Sequence, residues 1–166
     1  MPPASSFDVT SSVDLQEVDN AINQARKEVA QRYDFKGSMA AIDFNKAENT
    51  LTLVADDTMK MDALWDILQT RLVRRNVPVK NLKLGDLEGA TGSTVRRVVT
   101  LQQGIPSDAA RDIIKYLKDQ KLKKVQASIQ GDQLRISSAS KDELQEVIRL
   151  LRAHDFGIAL QFGNYR

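Results

Sequence analysis

The chain has 166 residues, 42% of them hydrophobic and 28% charged, with a formal net charge of +2 at neutral pH, which suits a soluble globular protein of one medium domain or two small ones. The sequence pI is about 8.9, but so small a net charge gives no protein-wide field for capturing polyanions, and any nucleic-acid signal has to be local. No cysteine is present, so disulfides and thiolate metal sites are excluded. The first residues, Met1-Pro2-Pro3-Ala4-Ser5-Ser6, show neither the basic region nor the apolar run of a signal peptide. With no stretch near the ~18 consecutive apolar residues of a membrane helix, a cytoplasmic protein without membrane contact is expected.

Phe7 and Val9 alternate with Asp8 and Thr10 as in a half-buried strand. Asp14 and Glu17 then have capping-box spacing ahead of an apolar stripe at Leu15, Val18, Ile22, Ala25 and Val29, which predicts a helix. A hairpin is expected from Ala41-Ile42-Asp43-Phe44 through Asn45 to Asn49 into Thr50-Leu51-Thr52-Leu53. After Thr58 a second helix carries Met61, Leu64, Trp65, Leu68 and Leu72 on one face. Val77 to Leu84 is a short β-like run, and Gly85 to Thr94, with three glycines, reads as a linker. Arg96-Arg97 open the next strand, with Val99 and Leu101. Ile105-Pro106 begins a third helix that buries Ala109, Ala110, Ile113, Ile114 and Leu117, since proline suits a first turn. Val125, Ala127 and Ile129 alternate with Gln126, Ser128 and Gln130 before Gly131-Asp132 turns the chain into Leu134 and Ile136, the clearest hairpin in the sequence. Ser140 and Glu143 cap a fourth helix with Leu144, Val147, Ile148 and Leu151, and Ala159 to Phe162 is a last β-like run.

Strand, helix, hairpin, helix, strand therefore occurs twice, an internal repeat. Each copy has the βαββαβ order of a ferredoxin-like fold, an α+β architecture in which helices cover one face of an antiparallel sheet. The boundaries are 1–84 for the first repeat, 85–94 for the linker and 95–166 for the second. The open sheet face of the second copy would show Gln126, Ser128, Arg135, Ser137 and Gln161. A solvated face and a ligand platform both fit that composition.

Enzyme signatures are thin. The one histidine, His154, falls beside Asp155 at the end of the fourth helix, where helix termination accounts for it. Asp56 and Asp57 precede a helix and read as capping acids. There is no Walker loop, dinucleotide-binding glycine motif, HExxH or calcium loop, and no nucleophile with a base. Basic residues say more. Arg71, Arg74 and Arg75 end a helix, as its dipole favours, and Lys121, Lys123 and Lys124 crowd the start of a strand, where lysines also guard against edge pairing. Arginine beside polar sheet positions suits phosphate oxygens and purine faces. RNA-recognition modules share this strand order, but neither Leu51 to Ala55 nor Leu134 to Ser138 carries an aromatic on which bases would stack. Tyr33 and Phe35 are the alternative stacking groups, with core packing the simpler account of both.

Phe7-Asp8-Val9 with Asp14-Leu15-Gln16-Glu17-Val18-Asp19-Asn20, then Gln31-Arg32-Tyr33-Asp34-Phe35-Lys36-Gly37-Ser38, then Lys123-Lys124-Val125-Gln126-Ala127-Ser128-Ile129-Gln130-Gly131-Asp132 and the terminal Leu160-Gln161-Phe162 resemble the YajQ family over almost the whole chain. The ending, Gly163-Asn164-Tyr165-Arg166, departs slightly, because phenylalanine commonly precedes the final arginine there. The resemblance implies two ferredoxin-like domains that exchange first strands, Phe7 to Ser11 completing the C-terminal sheet and Val95 to Leu101 the N-terminal one. It also implies nucleotide binding without a reaction: cyclic di-GMP reception through a transcription regulator in some members, binding of tRNA or of GTP or ATP in others. No family site is transferred. By residue type and placement, the expected nucleotide-binding residues are Lys36, Arg97, Lys123, Gln126, Arg135 and Arg166, with no cofactor and no metal. Pleat alternation between Leu134 and Ile136 sends Arg135 to the open face, beside Gln126 or Ser128.

Overall fold

The computed structural model describes residues 4–122 and 124–166. Among them lie four helices, α1 (Leu15–Gln31), α2 (Thr58–Arg74), α3 (Ser107–Asp119) and α4 (Lys141–Ala153). The strands are β1 (Ser5–Thr10), β2 (Ala41–Asn45), β3 (Thr50–Ala55), β4 (Leu82–Leu84), β5 (Glu88–Gly89), β6 (Val95–Leu101), β7 (Val125–Gln130), β8 (Gln133–Ser138) and β9 (Gln161–Gly163). No helix among the described residues is long and apolar enough to cross a membrane.

Capping chemistry sets the helix starts. The Asp14 carboxylate accepts from the Gln16 and Glu17 amides, Asp57 from the Lys60 amide at 2.8 Å, and the Ser140 hydroxyl oxygen from the Glu143 amide at 3.3 Å, each satisfying a donor the helix leaves open. Pro106 stands at the N-cap of α3, one place before the first helical residue, where its missing N–H costs nothing.

The chain divides into two compact units that are nested in sequence. One, here the nested unit, is Val13–Gln102; the other, the bracketing unit, joins the N-terminal residues through Ser12 to Gln103–Arg166. The first strands are exchanged: the bracketing sheet runs β7-β8-β1-β9 and the nested sheet β2-β3-β6-β4, with β5 also on β6, all pairs antiparallel. Counting each unit's strands from its exchanged member, both sheets have the ferredoxin-like order 2-3-1-4. Residues 85–94 fold back on β6, where the Gly85 amide donates to the Val98 carbonyl at 2.8 Å and Glu88 lies opposite Arg96.

Each unit has its own core. Val18, Ile22, Leu51, Leu53, Met61, Leu68, Leu72 and Val99 fill the nested unit, and Phe7, Val9, Ile113, Leu134, Ile136, Val147 and Leu151 the bracketing one. β1 sits centrally in its sheet, with Phe7 opposite Ile136, Val9 opposite Leu134 and Asp8 opposite both Arg135 and Gly163. Phe7 is 1% and Val9 0% exposed, and each contributes roughly 1.5–3 kcal/mol by burial, a large fraction of the ~5–15 kcal/mol that holds a domain folded. Deleting residues 1–10 should therefore raise amide exchange throughout β7, β8 and β9 while leaving β2 and β3 protected. Exchange that rises in β2 and β3 instead would contradict the strand exchange.

Candidate nucleotide-binding site

Within the bracketing unit α3 and α4 pack on one face of the sheet β7-β8-β1-β9, and the unit's own helices leave the other face open. The register aligns Ser128, Arg135, Asp8 and Gly163 across that face in one row, and Gln126 with Ser137 and Ser6 in another. Arg135 therefore lies opposite Ser128, and Gln126 opposite Ser137. Arg135 does not stand alone in solvent. Its Nε donates to Asp8 Oδ1 at 3.1 Å, and Asn164 Nδ2 donates to Asp8 Oδ2 at 2.9 Å, so both carboxylate oxygens are engaged. The Arg135 hydrogen bond, then that from Asn164, holds the Asp8 carboxyl below the usual carboxylate range. Asp8 is 5% exposed, whereas 35% of the Arg135 side chain remains accessible.

Arg166 belongs to the same unit. Its amide donates to the Ser6 carbonyl and its carbonyl accepts from the Ser6 amide, extending the sheet past β9, and its charge also favours ionised Asp8. With Ser5, Lys141, Gln145 and Tyr165 it borders a cavity of about 380 Å³. Lys123 lies outside the described residues.

Lys36 and Arg97 fall in the nested unit. Arg97 shares the helix-facing pleat of β6 with Val99 and Leu101 and sits opposite Leu53. Its Nε is buried without a hydrogen-bond partner among the described residues. The neighbouring Arg96 takes the open face and is paired with Glu88 at 2.8 Å. Lys36 borders a cavity of about 640 Å³ between the last turns of α1, the 35–40 segment and the edge of β2. Val29, Ala30, Phe35 and Leu64 give it an apolar wall, and Arg26, Lys36, Ser38 and Asp43 supply polar groups.

Local chemistry shapes that cavity. Gly37 turns the chain at φ +74°, a region glycine enters without strain. The Ser38 hydroxyl donates to Asp56, whose other oxygen accepts from the Met39 amide at 3.0 Å; these two bonds hold the Asp56 carboxyl below its ordinary range. Lys60 donates to the Asp34 carbonyl, and Arg26 to the Ile42 carbonyl at the outer edge of β2. Tyr33 and Phe35 part company: Phe35 is 5% exposed, with Arg32 and Lys60 against its ring, whereas Tyr33 is 88% exposed. His154 stacks on Tyr116 at 4.3 Å beyond the end of α4. No group of three or more histidines and acids among the described residues could hold a metal ion.

Thus the bracketing unit gathers Gln126, Arg135 and Arg166 on or beside one sheet, while Lys36 enters a cavity that Arg97 does not line. Asp8, Asn164, Arg26 and Asp43 complete these surfaces and escaped the sequence reading. For Asp8 a signal existed, since a lone acid between two apolar strand residues needs a partner wherever that strand is central.

Asp8 stabilises the folded chain only while ionised. Because its folded pKa is depressed, the contribution is complete above the unfolded carboxylate pKa and disappears as pH falls through the folded value. Asp8→Asn should cost about 1–3 kcal/mol at neutral pH, and urea unfolding should show that difference shrinking toward zero in acid.

Comparison with known proteins supplies the family. The family model described as nucleotide-binding protein YajQ-like matches residues 5–166. A nucleotide-binding protein of Solibacter usitatus is 51% identical over 164 residues, 99% of this chain and 98% of its own. One of Koribacter versatilis is 51% identical over 161 residues, 97% and 96% of the two chains, and one of Desulfitobacterium hafniense is 49% identical over the full length of both. With the exchanged strands and doubled ferredoxin-like topology in place, the chain belongs to the YajQ family of nucleotide-binding proteins.

Proposed function

We propose that this protein is a regulatory receptor for guanine nucleotides, cyclic di-GMP the most specific candidate, which binds its ligand and does no chemistry on it. The observation that carries the reading is the Lys36 cavity. Its volume of about 640 Å³ lies within the roughly 300–1,000 Å³ of small-molecule sites, and its apolar wall with a few convergent polar groups is their usual make-up.

The residues divide the work by chemistry. The Val29, Ala30 and Leu64 wall offers an apolar seat for a purine, and the Lys36 ammonium offers a phosphate its point charge. Arg135, Gln126 and Arg166 form a second polar surface in the bracketing unit that fits a phosphate, and Arg97, its Nε unpaired, is a reserve cation of the nested unit.

The alternative, an RNA- or tRNA-binding protein, draws less support. The open-face positions of the central strands are Thr50, Thr52, Val54, Arg96, Val98 and Thr100 in one sheet and Ser6, Asp8, Thr10, Gln133, Arg135 and Ser137 in the other, with no aromatic for stacking.

Calorimetric titration with cyclic di-GMP, GTP, ATP and bulk tRNA at two salt concentrations separates these readings. Guanine nucleotides should bind with shallow salt dependence and be recovered unchanged. Lys36→Ala should lose roughly tenfold or more in affinity, as expected for a charge-assisted hydrogen bond. Unchanged affinity in Lys36→Ala alongside a loss in Arg135→Ala would move the site to the open sheet face. Steep salt dependence confined to tRNA would favour the RNA reading.

A further inference from the structure

A strand at the end of a sheet offers unpaired N–H and C=O groups to any second strand, and proteins blunt such edges with charge, proline, shortness or cover. Three of the four sheet ends here are blunted. β9 and β4 are three residues each, and β4 carries Lys83. β2 bears the acidic Asp43, and Arg26 already occupies the outward carbonyl of Ile42. β7 has none of these devices. It is six residues long, Val-Gln-Ala-Ser-Ile-Gln, without charge, proline or glycine, and it ends the order β7-β8-β1-β9.

The register of the hairpin fixes which groups point outward. Gln130 lies opposite Gln133 across the two-residue loop Gly131-Asp132, with Gly131 at φ +65°. Residues flanking a two-residue hairpin loop exchange both backbone hydrogen bonds, so Gln130, Ser128 and Gln126 face β8. Val125, Ala127 and Ile129 therefore direct their N–H and C=O groups away from the sheet.

We propose that β7 pairs antiparallel with β7 of a second copy of this chain, about a two-fold axis through Ala127, joining two four-stranded sheets into one. In this register Ala127 faces Ala127 and Val125 faces the second copy's Ile129, so all three outward residues of each strand make ladder bonds. The same register sorts the side chains. Val125, Ala127 and Ile129 meet their counterparts on the helix-facing side, and Gln126 meets Ser128 on the open side. Ile129, 50% exposed in the single chain, reaches Val125 at a cavity of about 400 Å³ whose wall includes Ile114, Leu117 and Leu122.

Charge agrees with the pairing. Lys124, the residue before β7, falls opposite the second copy's Gln130, beside the turn that carries Asp132. No like charges face each other within the overlap. The lysines before β7 therefore lie outside the six-residue run they would have to guard.

Sedimentation velocity across the micromolar range, with cysteine cross-linking, tests the interface. The native chain should sediment at twice its 18.5 kDa mass. Ile129→Lys, an exposed site, should keep the circular dichroism spectrum and raise the dimer dissociation constant by roughly tenfold or more. Because the chain has no cysteine, Ala127→Cys should form a disulfide across the axis on mild oxidation, whereas Ser128→Cys, displaced from its own counterpart, should not. A monomeric native protein, a dimer indifferent to Ile129→Lys, or equal cross-linking of the two cysteine variants would each overturn the proposal.

Discussion

Pairing of β1 with β8 is the constraint on which the bracketing unit depends. Six residues near the N-terminus supply the central strand of a sheet whose other members all come after residue 124. Phe7 and Val9 fill the core below that strand, and Asp8 anchors the polar face above it through Arg135 and Asn164. One short segment thus fixes both sides of the sheet. A buried carboxylate is tolerable there because both its oxygens receive hydrogen bonds, and the arginine that satisfies it is thereby held at a defined place on the open face.

Duplication gave two units with one strand order, but their surfaces diverged at corresponding places. In each, a cavity lies between the end of a helix and the edge strand that follows it, α1 with β2 and α3 with β7. The nested copy has the longer connection, 32–40, which brings Phe35, Lys36 and Ser38 to its cavity and ties itself down through Asp56 and Lys60. The bracketing copy connects through 120–124 and keeps a smaller, more apolar hollow beside an uncharged strand. The same architectural gap is therefore polar and ligand-like in one copy and apolar in the other.

Much of this was legible in the sequence because it is local. Capping residues and 3.6-residue periodicity located all four helices, and alternation with Gly131-Asp132 located the β7-β8 hairpin. The α+β class and the doubled βαββαβ order follow from those elements alone, whereas the exchange of first strands came from family resemblance, since no local signal says which of two similar sheets a strand joins. The side of β6 that Arg97 takes was available in principle: Val99 and Leu101 face the core, so pleat alternation carries Arg97 with them and leaves Arg96 outside. Tyr33 and Phe35 could not be separated without tertiary contacts, because a short turn of helix gives neighbouring residues no fixed inside. The Lys36 cavity was invisible for a similar reason, being bounded by α1, α2 and β2 together.

The exchanged strand also sets an order on biosynthesis. β1 is made before the nested unit and its partners β8 and β9 after it, so the apolar side chains of Phe7 and Val9 wait while the whole nested unit is synthesised. The nested unit has no such delay, because every strand of its sheet is present once Leu101 has emerged. A nascent chain that has reached Leu101 carries one finished unit and one unclaimed strand, and only synthesis of β8 and β9 gives that strand its place. The nested unit is thus complete before the strand that precedes it in sequence finds its partners.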